Sequence, residues 1–458
     1  MNAISVTLLS LLIGLLPITQ GHADTQYEDV LLKKIITAYQ LKPYQPKTVR
    51  FGSEEKLGRA LFFDPILSGP QGVACASCHI RNIGSGDGLP LAVGLGAFGL
   101  SNERISQPDA FVIPRNTLPL FNRGSEDINA FFWDGRVQIG PDGSFESPLG
   151  ELLPKGFDSL LAVASVFPIV EPDEMLGHSR QKVSSTKQHG DLVTIDGVDN
   201  NYQARALNVF ENLIKRLTNY EDISLSDTTK QYHELISDTH PDIPIEEISI
   251  ANIGNALAAY IRVAFMLNAT PWDRYLQGEI GALTINQKRG AIVFYGKGRC
   301  AVCHSGEQFS DFRFHGLAIP QLRVGKHSPY QDYGRAIATG MSKDRYLFRT
   351  PTLRNVYVTG PWGHNGSFTS IQKIIKHHIN PITILYEAEV QDPAQGQFSG
   401  RILSARSKIL AEIGILSDTD VENLTLFMSS LSSSYTLSDQ LAIPDEIPSR
   451  NTLAITKK

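Results

Sequence analysis

Every cysteine of this 458-residue chain falls in one of two pentapeptides, Cys75-Ala76-Ser77-Cys78-His79 and Cys300-Ala301-Val302-Cys303-His304. The Cys-x-x-Cys-His pattern is the attachment signature of c-type haem. Its two thiols add to porphyrin vinyl groups as thioethers, and the histidine that follows supplies one axial ligand to the iron. Other uses of the pattern fit less well. Paired zinc knuckles sit within one short segment, whereas these motifs lie in separate halves of the chain. A thioredoxin-like redox pair needs no following histidine. Two disulfides would leave His79 and His304 unexplained. The expectation is two covalent c-type haems, with His79 and His304 as their proximal ligands.

Residues 1–23 read as a secretory signal peptide. Val6 to Ile18 is an apolar run, and Gly21-His22-Ala23 is a small-residue cleavage site before Asp24. No Lys or Arg precedes the run, so an uncleaved anchor is the alternative. No other stretch reaches the apolar length of a membrane span, so none is expected in the mature chain. Covalent haem attachment takes place outside the cytoplasm, and the expected location is the periplasm. The net charge of −5 is dispersed, and no Lys/Arg run marks a nucleic-acid surface. The length suits two or three domains.

Helices must position the motifs. Leu31 to Tyr39 has helical apolar spacing. Ser53 can cap a helix that begins Glu54-Glu55-Lys56 and runs toward Phe63, before Pro65. Tyr202 to Leu217 and Ile248 to Leu267 are longer helical stretches. The second holds Ala256-Leu257-Ala258-Ala259-Tyr260, suited to close packing. Thr284 can cap a helix through Phe294 that ends at Gly296, just before the second motif, and Ser417 to Leu431 reads as a last helix. Gly- and Pro-rich loops span 84–99, 140–156 and 316–340, and long loops inside a compact protein are usually functional. No strong alternating strand pattern is present. A boundary is expected near Leu267 to Trp272, with a polar tail over 436–458.

Further blocks stand in order around the motifs. After the first come Asp87-Gly88-Leu89-Pro90, Pro114-Arg115-Asn116-Thr117, Phe132-Trp133-Asp134-Gly135-Arg136 and Asp173-Glu174-Met175. After the second come the run from Phe348 to Asn355 and Gly360-Pro361-Trp362-Gly363-His364-Asn365-Gly366. In this order the chain resembles the bacterial dihaem cytochrome c peroxidase/MauG superfamily over nearly its whole mature length. The resemblance implies a mainly α fold of two cytochrome c-like haem domains with long irregular loops. The peroxide-reactive haem would lie in 24–267 and the electron-transfer haem in 268–435.

In typical peroxidases of this family a second histidine, in a Gly-His-Gly context, ligates the first iron. The matching stretch here is Gly94-Leu95-Gly96, and no other histidine lies between His79 and His178. The resemblance therefore implies a first iron open to peroxide without reductive activation, as in the MauG-like branch. Glu174 matches the distal acid/base. Peroxide on iron must lose a proton from its inner oxygen and gain one on its outer oxygen, and one carboxyl can do both. Apolar neighbours would raise its pKa into the useful range. Glu151 is a second candidate, because the segment between Trp133 and Glu174 carries an insertion. Pro168 matches a proline lining that pocket. Trp133 matches the tryptophan between the porphyrins, and Asn116, Thr359 and Pro361 match positions that bind calcium there. The second iron's distal ligand lies on the helix after the Pro-x-x-His-x-Gly block. Typical peroxidases place Met there and MauG places Tyr; this chain offers His378. Its neighbour His377 would point about 100° away on a helix. Arg349 and Arg354 are candidates to pair with haem propionates. His315 and His364 are expected to bond propionates or loop backbone.

The function implied is that of a periplasmic oxidase that uses hydrogen peroxide. High-valent iron forms at the first haem and is shared through Trp133 with a bis-His second haem. A partner protein is then oxidised by long-range electron transfer. The alternative is a peroxide-scavenging cytochrome c peroxidase reduced by a small electron-transfer protein. A plain electron carrier fits poorly with Glu174 and the absent sixth ligand. A dihaem oxygenase related to the rubber-cleaving enzymes is a remoter reading.

Overall fold

The computed structural model describes residues 20–47, 50–79, 81–98, 105–106, 110–179, 188–194, 200–218, 226–322, 324–326, 329–433 and 443–449. The expected signal segment up to residue 19 lies outside the described residues, as do 434–442 and 450–458 of the tail. The fold is mainly α. The first half holds α1 (Gln20–Tyr39), α2 (Ser53–Phe63), α3 (Leu160–Val166), α4 (Tyr202–Thr218), α5 (Asp227–Thr239) and α6 (Ile250–Ala264). The second holds α7 (Pro271–Leu276), α8 (Ile285–Tyr295), α9 (Ala336–Thr339), α10 (Ile371–Ile379), α11 (Ile382–Gln391), α12 (Gly396–Ser404) and α13 (Asp418–Ser430). Strands are two or three residues long and make three small antiparallel sheets among the described residues. No helix of the described residues is long and apolar enough to cross a membrane.

Helix starts follow side-chain capping. Thr284 Oγ1 accepts from the Gln287 amide at 3.3 Å, while Thr284 N donates to Gln287 Oε1 at 2.9 Å. Ser417 and Asp420 repeat that exchange at α13. At α2 the cap falls one residue earlier than expected. Ser53 is already helical, and Gly52 N donates to Glu55 Oε2 at 2.7 Å. The helix expected over 248–267 is shorter, because Ser249 N bonds Asn252 Oδ1 at 3.0 Å and Phe265 has left helical geometry. Sequence periodicity does not announce α3, α5, α11 or α12.

Among the described residues two large apolar cores form, one per Cys-x-x-Cys-His motif, beside a small cluster of Ala318, Tyr346, Leu385 and Ile402. The first gathers residues of α2, α3, α4, α5 and α6. The second gathers residues of α1, α7, α8, α10 and α13. Each core rests on one close helix crossing at a glycine. A Cβ on Gly58 of α2 would stand 1.9 Å from the Ala256 carbonyl of α6, and one on Gly290 of α8 would stand 2.0 Å from the Asn423 carbonyl of α13. The Ala-rich stretch of α6 thus serves the backbone approach its composition suggested.

The chain ends cross over between the cores. Helix α1 packs on α8: Leu32 is buried in the second core, Glu28 pairs with Arg289 at 2.8 Å, and Asp29 pairs with Lys288 at 2.7 Å. Near the other terminus, Ile447 is buried in the first core, and Ser449 N donates to the buried carboxylate of Asp64 at 2.9 Å. The start of the chain therefore serves the second motif, and its end serves the first.

A buried ion pair inside the second unit ties α7 to the run from Phe348 to Asn355. Arg354 Nη1 and Nη2 donate to Asp273 at 2.8 and 3.0 Å, and Asp273 also accepts from Thr270 N and Tyr44 N. Burial alone would raise the Asp273 carboxyl, but the Arg354 and Thr270 bonds outweigh it and hold it low. Asp273→Asn keeps the shape and removes the charge that Arg354 needs. The expected cost is about 3–5 kcal/mol of stability, measured by denaturant unfolding of the holoprotein; an unchanged midpoint would refute it.

Candidate active site: two motif cavities and the wall between them

Each Cys-x-x-Cys-His motif borders its own cavity. The cavity at the first motif spans about 1320 Å³ and the one at the second about 1820 Å³, open solvent at their mouths included. Tight turns over Cys75–Ser77 and Cys300–Val302 carry the motifs. His79 Nδ1 is 3.1 Å from the Ser85 carbonyl, and His304 Nδ1 is 3.0 Å from the Phe309 carbonyl. With Nδ1 as the donor, Nε2 of each ring is the nitrogen left for a metal. Burial pushes both imidazoles down to about 4, so they are neutral, the form that ligates iron. For His304 the neighbouring His378 adds to the effect of burial. Burial also pushes the Cys75 and Cys300 thiols up to about 12.

In the first cavity, Glu174 sits in a wide helical turn, Pro172–Leu176, beside Met175. Pro168 lines the same cavity. Burial pushes the Glu174 carboxyl up to about 7, and Glu171 adds to the shift, against the pull of Arg136 and Lys326. Leu95 is buried in the first core and does not line the cavity. Its loop lies tight on the acidic turn, for a Cβ on Gly94 would stand 1.9 Å from the Asp173 carbonyl. The only imidazole among the described lining residues of this cavity is His79. Glu151 is exposed in a separate turn, Gly150–Leu152, and does not line it.

The second cavity holds His304 and His378 together. His378 Nδ1 is 2.7 Å from the Ile374 carbonyl one helical turn back, which leaves Nε2 toward the cavity. His377 does not line it. Its Nε2 bonds the Leu317 carbonyl at 2.9 Å and its ring meets Phe368. His315, expected at a propionate or loop backbone, instead bonds Asp311 at 2.9 Å, and that bond holds it up to about 9. His364 stacks on Phe348 with centroids 3.6 Å apart and bonds the Gln321 side chain. Asn116, Thr359 and Pro361 all border this cavity. The Asn116 amide nitrogen donates to Leu89 and Pro90 carbonyls at 2.8 and 3.3 Å.

Trp133, Asn116, Leu118, Pro119, Arg123 and Arg349 border both cavities and so form their common wall. Trp133 is held at three points: its Nε1 donates to the Asn116 carbonyl at 2.9 Å, its own carbonyl accepts from Arg349 N at 2.9 Å, and its neighbour Asp134 binds Arg115 Nη1 at 2.6 Å. Arg115 reaches on to Asp332 of the second half, with Nε and Nη2 bonds of 2.7 and 2.8 Å. Burial alone would raise both carboxyls. Arg115, helped by Arg136, holds Asp134 well below its usual range, and Arg115 holds Asp332 at about 2.

The comparisons agree with this architecture. The family model described as di-haem cytochrome c peroxidase matches residues 53–281. The chain belongs to the di-haem cytochrome c peroxidase family. It is 30% identical over 323 residues to the methylamine utilization protein MauG of Methylorubrum extorquens, covering 70% of this chain and 67% of that protein. It is 25% identical over 362 residues to cytochrome c551 peroxidase of Pseudomonas aeruginosa, covering 78% and 80%. Among solved structures, a MauG-like protein associated with microbial copper homeostasis superposes with a TM-score of 0.56 at 20% identity, over 89% of this chain and 97% of that one. The diheme peroxidase BthA of Burkholderia thailandensis gives 0.51 at 18%, over 86% and 90%.

Family membership implies two haems, and the cavities fit them. Nη1 and Nη2 of Arg123 and of Arg349 are buried without a hydrogen-bond partner among the described residues. Buried guanidinium groups left bare are costly, and propionate carboxylates are suitable anions for them. Arg354, the other guanidinium expected at a propionate, is instead committed to Asp273 and the Glu307 carbonyl. Sequence reasoning assigned no role to Arg123, Arg136, Glu171 or Lys326. Lys326 comes from the 316–340 loop of the second half yet lines the first cavity, and only the folded chain brings it there. A carboxyl titration by difference infrared spectroscopy of the holoprotein should show a midpoint near 7 that Glu174→Gln removes, protonated below and ionised above. A wild-type spectrum lacking that component would contradict the environment described.

Proposed function

We propose that this protein is a periplasmic, MauG-like oxidase that uses hydrogen peroxide and passes oxidising equivalents to a partner protein. The asymmetry of the cavities carries the reading: among the described residues His79 is the one imidazole at the first, whereas His304 and His378 meet at the second. Thioether links from Cys75, Cys78, Cys300 and Cys303 would hold the haems, with His79 and His304 as proximal ligands. His378 would cap the second iron. Units over 24–267 and 268–435, reached by a signal peptide over 1–23, belong to the same proposal, with α1 serving the second unit.

When bound, the first haem supplies the electrons that cleave the peroxide O–O bond. The protein's own part is proton movement and positioning. Glu174 takes the proton of the inner peroxide oxygen and returns it to the outer one. Its carboxyl, up near 7, is poised to do both near neutral pH. Pro168, Met175, Leu161 and Ala164 line the same cavity and limit water there. Trp133 stands in the common wall as the electron path between the cavities. The Asn116 side-chain oxygen and the carbonyls of Thr359 and Pro361 offer hard oxygen donors to a calcium ion, with waters completing its shell.

The resting ferric protein should give one high-spin and one low-spin EPR signal. A spectrum without the high-spin signal would sink the open first iron. His378→Ala should convert the low-spin signal to high-spin, while His377→Ala should not. Glu174→Gln should slow the reaction with peroxide by about 10²–10⁴-fold and abolish its rise with pH through about 7. Fast steady-state turnover with a reduced small cytochrome, and no partner protein, would favour the peroxide-scavenging alternative.

A further inference from the structure

An aromatic chain leads from the second cavity to the surface. Trp272 is stacked between two tyrosines, Tyr275 at 6.0 Å and Tyr295 at 5.9 Å, with interplanar angles of 19° and 21°. Tyr295 meets Phe294 at 5.0 Å, and Phe294 borders the cavity. On its other side Tyr295 meets Tyr39 edge-on at 5.1 Å, and the Tyr39 hydroxyl donates to the Tyr295 carbonyl at 2.9 Å. Trp272, Tyr275 and Tyr295 are buried, whereas Tyr39 is 49% exposed.

Apolar packing explains large rings in a core, but phenylalanine would pack as well. Phe294 also touches the buried rings of Phe309 and Phe427, but the rings that lead from it to the surface, Tyr295 and then Tyr39, are oxidisable. Tyr39 reaches them only because α1 folds onto the second unit. We propose that Tyr295 and Tyr39 form a one-electron relay between the second haem and the surface, with Trp272 stacked on Tyr295 as a branch and Tyr39 as the point where a one-electron donor is oxidised. The relay rests on the peroxide reading above, which supplies its oxidant.

The electron count closes. Peroxide takes up two electrons and two protons to give two waters. Each electron leaves the relay toward the haem, and Tyr39 releases its phenolic proton to solvent as it loses an electron. The donor then returns one electron to the Tyr39 radical, and water returns the proton. Tyr275 is a side station, since its hydroxyl donates to the Asp29 carboxylate at 2.7 Å and can leave its proton there on oxidation.

The test uses the dihaem protein with stoichiometric hydrogen peroxide, no donor, and a nitrone spin trap, read by peptide mass spectrometry and freeze-quench EPR. Wild type should carry the trap on Tyr39. Tyr295→Phe, which keeps the ring and its packing, should lose most of that adduct while the Soret response to peroxide is unchanged. Tyr39→Phe, a surface change, should abolish the adduct and slow decay of the oxidised haem spectrum in the presence of ferrocyanide. A normal Soret response with no adduct at Tyr39, or with an adduct undiminished in Tyr295→Phe, overturns the relay alone. A Soret band that does not respond to peroxide overturns the peroxide reading and the relay with it.

Discussion

The site depends on one buried cation. Arg115 is enclosed by protein and bridges Asp134 of the first half to Asp332 of the second. Burying a lone guanidinium is prohibitive, and two carboxylates with short bonds make this one tolerable. The arrangement matters less for net stability than for position. Arg115 and Asn116 are adjacent, as are Asp134 and Trp133. The ion pair and the indole hydrogen bond therefore fasten the same two stretches of backbone side by side. The indole cannot turn within the wall without losing its bond to the Asn116 carbonyl, and the ion pair holds the two backbone stretches that carry that bond.

Around that wall the protein repeats one device and then breaks the symmetry. A helix precedes each motif, and each packs backbone to backbone on a later helix at a glycine, Gly58 on α6 and Gly290 on α13. That common frame gives each motif histidine the same backbone-carbonyl anchor. The surroundings then diverge. The first cavity receives Glu174, with Glu171, Arg136 and Lys326 setting its charge balance. The second receives His378 from α10, anchored by its own helix. The crossing of the two termini ties these unlike units together, since neither core is complete without a segment from the far end of the chain.

Much of this was legible in the residues. The two pentapeptides carry their chemistry in a local spacing that survives any fold. Capping boxes at Thr284 and Ser417 are likewise local, and the helices begin where those side chains dictate. The order of blocks around the motifs was enough to point to the family and to single out Glu174, Trp133 and His378. Helical geometry requires that only one of His377 and His378 face a given side, and the register implied by the resemblance pointed to His378.

Tertiary structure decided the rest, for a physical reason that repeats at each site. Arg354 and Arg349 sit five residues apart in one run, yet one is neutralised by Asp273 and the other keeps bare nitrogens in the wall. Nothing local distinguishes them; the partner arrives from a distant segment. Lys326 in the first cavity, Asp332 on Arg115 and Tyr39 against Tyr295 are of the same kind. Spacing along the chain determines which groups can bind a cofactor and which way a helix presents them. Burial and the charges brought in from elsewhere determine whether those groups are paired, neutral or free, and these exist only once the chain has closed on itself.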